Sequence, residues 1–98
     1  MLSSLNNKLD LIELVWDNIR DGLQPGLAEE ISDAIAKVRV NLFINHSRAL
    51  EVVLEEQERF SGMIDGFRQG VYPLGVFCMG VQYGELAELL REYPTRMR

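Results

Sequence analysis

Residues 40–53 read VNLFINHSRALEVV, and the way the triplet Asn45-His46-Ser47 is resolved decides the architecture of the chain. All three are weak helix formers. An Asn ending one helix followed by a Ser capping the next would make a tight helix–helix turn. Yet the apolar stripe keeps its phase through the triplet. Leu27, Ile31, Ala34, Val38 and Leu42 precede it, Ala49, Val52, Phe60, Met63 and Phe67 follow it, and Asn45 and Glu56 are polar positions on the same line. The mean step is about 3.6 residues, that of a straight α-helix. Between Leu27 and Gly62 the chain has neither glycine nor proline. The pattern therefore predicts one long helix over residues 27–68, with a break at 45–47 as the alternative. Ala28, Ile35, Phe43, Leu50 and Val53 form a second stripe beside the first, as expected of a central helix.

Outward from that segment, Leu2, Leu5, Leu9, Ile12, Trp16, Ile19 and Leu23 alternate in steps of three and four, an a/d seam. They predict a first helix over about residues 4–21, with Ser3 or Ser4 as its N-cap. Gly22 and Gln24-Pro25-Gly26 stop it. A third helix is expected over residues 74–92. The fold class is all-α: a single helical domain, residues 1–98, of three helices in short–long–short order. A helix over residues 27–68 would be roughly 63 Å long and outrun a compact domain of this size. Apolar faces left uncovered predict completion as a homodimeric helical bundle. Under the alternative, the break yields an up-down four-helix bundle.

The stretch GVYPLGVFCMGVQYG, residues 70–84, is apolar yet carries four glycines. Gly70 suits a helix C-terminus and Pro73 the first turn of the next helix, so a tight turn over 70–73 is expected. Its register would set Gly62 against Val81, Gly66 against Phe77, and Met63 against Gly80, with Gly84 near Phe60. Glycine within a helix costs about 1 kcal/mol relative to alanine. Gly62, Gly66, Gly80 and Gly84 are accordingly assigned to helix packing, as sockets for large side chains, with a partner-binding groove as the competing explanation.

Ten basic residues against fifteen acidic ones give a net charge of −5, with a pI near 4.8. That balance argues against nucleic acid as a ligand, since such binding depends on neutralising phosphates. Arg91, Arg96 and Arg98 are the sole basic cluster. The longest nearly apolar run, broken at Pro73, is far short of a membrane span, and the N-terminal residues lack a signal-peptide pattern. One cysteine, Cys78, allows no internal disulfide and fits a reducing, cytoplasmic setting. Its apolar neighbours predict a buried thiol.

The residues offer little chemistry. His46 is the single histidine and lacks companions at metal-ligand spacing, so no metal site is expected. The acidic run Glu51–Glu58 is flanked by Arg48 and Arg59 and reads as a solvated, partly paired face. Phosphate-binding loops and nucleophile elbows are absent. No catalytic residue and no cofactor is expected, and the chain is not expected to be an enzyme.

What remains is an excess of apolar positions over the needs of three packed helices. Leu11, Leu14 and Val15 flank the first seam, and Val76, Phe77 and Val81 surround the start of the last helix. These six are the expected partner-binding residues, because contiguous exposed apolar surface marks protein interfaces. The resulting expectation is a small cytoplasmic regulatory or adaptor protein, antiactivator-like or chaperone-like, that binds itself and another protein. The alternatives are a structural component of a larger assembly, and a small-molecule enzyme or ligand binder with its site between helices of the dimer.

Overall fold

Asn45 ends one helix and begins another. Its backbone N–H donates to the Asn41 carbonyl at 2.9 Å, closing the first. Its own backbone then turns extended (φ −156°, ψ 90°), and its side chain accepts from the Arg48 N–H at 3.1 Å, capping the second. The computed structural model describes the backbone of residues 2–97 and the side-chain surroundings of residues 4–92. The elements are α1 (Leu2–Ile19), a 3-10 turn (Arg20–Gly22), α2 (Pro25–Ile44), α3 (His46–Gly62), the short α4 (Ile64–Arg68) and α5 (Gly75–Met97). There is no strand among the described residues. Leu2, Ser3, Arg96 and Arg98, named above, lie outside the described side chains.

The chain is all-α, but the continuous helix over 27–68 does not form. The principal extents are 45 × 20 × 19 Å, shorter than the roughly 63 Å such a helix would need. The break falls where the alternative placed it. The unbroken phase misled because an apolar stripe reports which side of a helix faces the core. Two helices folded back on one another across a single extended residue can both keep that side inward. A second interruption at Met63 separates α3 from α4.

Four long helices surround one core, each antiparallel to its neighbours. Trp16 Nε1 donates to Ser32 Oγ at 2.9 Å, and Arg39 pairs with Asp10 and Glu13, so α1 and α2 run in opposite directions. Lys8 reaches Gln82 and Glu85, which sets α1 beside α5. Phe60 stacks on Tyr83, with ring centroids 5.7 Å apart, joining α3 to α5. His46 Nε2–H donates to the Leu90 carbonyl and ties the α2–α3 turn to α5. Leu9, Ile12, Ile31, Val38, Val53, Phe60, Met79, Tyr83 and Leu86 fill the centre. Every described residue of the first seam is buried. With α2 and α3 folded together, the argument for a dimer based on a protruding helix no longer applies.

Candidate functional site

Between α3 and α5 the helices leave an open apolar groove of about 270 Å³. Its base is Phe60, Gly80 and Gly84, its walls are Ile64, Phe77 and Val81, and its polar edge is Gln57 and Ser61. Phe77 and Val81 remain 48% and 46% exposed. The glycines create the groove by omission. A Cβ at Gly80 would lie 3.6 Å from Phe60 Cβ, an ordinary contact, and one at Gly84 would lie 3.1 Å from Gln57 Nε2. The expected pairs of Gly62 with Val81 and Gly66 with Phe77 are absent. Gly62 has open space around it, and Gly66 is packed beneath the Tyr72 ring. The register differs because the kink at Met63 and the turn at Gly70, whose φ is +79°, take up chain that a tight turn would have left helical.

The other expected partner-binding residues are divided. Leu11 and Leu14 are exposed on α1, and Val15 is half-buried against the core. The Lys8 contacts to Gln82 and Glu85 place α1 on the flank of α5 away from the groove. Leu11 and Leu14 are therefore carried by a helix that does not line the groove. Val76 has no exposed area and belongs to the core beneath Phe77. Cys78 is exposed rather than buried, because it points outward from α5 between the buried Val76 and Met79.

Sequence reasoning passed over a second apolar surface. Val40, Phe43 and Ile44 are 56%, 63% and 74% exposed on the outer side of α2. With Ala36 they fall at i, i+4, i+7 and i+8, one face of a helix. That spacing was visible in the sequence, but Phe43 was assigned to the second buried stripe.

A different kind of cleft, about 210 Å³, separates α2 from α3 and is lined by Glu30, Asp33, Lys37, Arg48, Glu55, Glu56 and Arg59. Glu56, one member of the acidic run, is only 3% exposed. Its Oε2 accepts from Arg59 Nε at 3.0 Å, and Arg59 reaches across to Glu30 at 3.3 Å. Glu56 Oε1 and the Tyr83 hydroxyl, both buried, have no hydrogen-bond partner among the described residues. Burial pushes the Glu56 carboxyl above the usual carboxylate range, with Arg59 pulling the other way. The Tyr83 hydroxyl is raised strongly by burial and further by Glu56.

No group of His, Cys, Asp and Glu among the described residues could hold a metal ion. No described helix is long and apolar enough to cross a membrane. No family model, curated protein or solved structure matches the chain.

Proposed function

We propose that the protein is a small cytoplasmic adaptor of the regulatory kind, antiactivator-like or chaperone-like, that receives part of another protein in the α3–α5 groove. The observation that carries this reading is the pairing of a glycine base with Phe77 and Val81, two large apolar side chains left half in water. Burying one such side chain from full exposure contributes roughly 1.5–3 kcal/mol, and each is already about half covered, so closing both walls contributes about that much in total. The α2–α3 cleft is less suited to this role, because Arg59 already bridges its two helices.

Affinity capture from lysate with the intact chain and with the Phe77→Ser/Val81→Ser variant tests the reading. Proteins retained by the intact chain should be missing from the variant, while circular dichroism of the two agrees. Capture of the same proteins by both would remove the groove from consideration.

The exposed face of Ala36, Val40, Phe43 and Ile44 supports a second component of the reading, pairing of two copies through α2. Sedimentation equilibrium should then report a dimer that Phe43→Ser converts to a monomer. A chain that sediments as a monomer at every concentration would leave the α2 face without this role.

A further inference from the structure

We draw no further inference here: the strongest candidate, the charged cleft between α2 and α3 that holds the buried Glu56 carboxyl, carries nothing, because its side chains are of both signs, Arg59 already joins Glu56 to Glu30 across it, and the unpartnered Glu56 Oε1 is shut away from the solvent through which a ligand would arrive.

Discussion

The Arg48 backbone N–H donates to the Asn45 side-chain oxygen at 3.1 Å, and this cap lies where the chain reverses between α2 and α3. Asn45→Ala removes the acceptor and leaves that N–H without its partner. Such a change costs about 1 kcal/mol. In a continuous helix the same substitution would stabilise, because alanine is the better helix former. Urea unfolding of the two proteins therefore separates the architectures by the sign of the change. We expect Asn45→Ala to be the less stable.

The glycines divide by what surrounds them. Gly75 lies against the Ile19 side chain so closely that an added Cβ has no room, and Gly66 is covered by Tyr72. Gly75→Ala should destabilise by about 1–3 kcal/mol, the usual range for overpacking. Gly62 and Gly80 have space for a methyl group. Alanine there should be neutral or stabilising by up to about 1 kcal/mol, since it relieves a helix-propensity cost. A melting-temperature series of the single variants checks the ordering. A loss at Gly80 as large as that at Gly75 would mean that α3 and α5 approach more closely at Gly80 than the groove allows.

How much of this was legible in the sequence varied with the kind of information required. The α1 seam was fully legible from Leu5 to Leu23, because periodicity alone specifies a buried face. Glu56 stood out as a polar residue on an apolar line, and it is the buried charge. The reversal at Asn45 was read the wrong way, as one continuous helix over 27–68, since phase carries no information on whether two helical segments are collinear. The groove was half legible. Phe77 and Val81 were seen as surplus apolar residues. That Val76 faces inward, and that α1 with Leu11 and Leu14 does not line the groove, depends on how α5 rotates between α1 and α3, a property of packing rather than spacing. Gly75 went unassigned because its neighbour, Ile19, is remote in sequence.

Cys78 provides a direct test of that rotation. It is exposed on α5 while Val76 and Met79 are buried. An exposed thiol reacts with an aromatic disulfide reagent without prior unfolding, whereas a buried thiol waits for an opening event. The native chain should release one equivalent of chromophore at a rate within about tenfold of the urea-unfolded chain. Protection by several orders of magnitude would require α5 to be turned, which would also move Phe77 and Val81 away from the groove.

Glu56 should give stability a distinctive pH dependence. In the unfolded chain its carboxyl titrates near the ordinary value of about 4.3. In the folded chain burial raises that value, and Arg59 compensates only in part. A carboxyl whose folded value is raised contributes stability that is fully present below the unfolded value and is lost as pH rises through the folded one. The intact protein should therefore gain on Glu56→Gln as pH falls from 7 toward 4.5, since the variant has no proton to take up at this position. The expected change in the difference is about 1 kcal/mol, the scale of a buried polar group left imperfectly paired. Urea unfolding of both proteins at several pH values isolates the effect, because the remaining carboxylates titrate in each. A difference that stays constant with pH would mean that Arg59 fully offsets the burial, and a difference of the opposite slope would mean that it prevails.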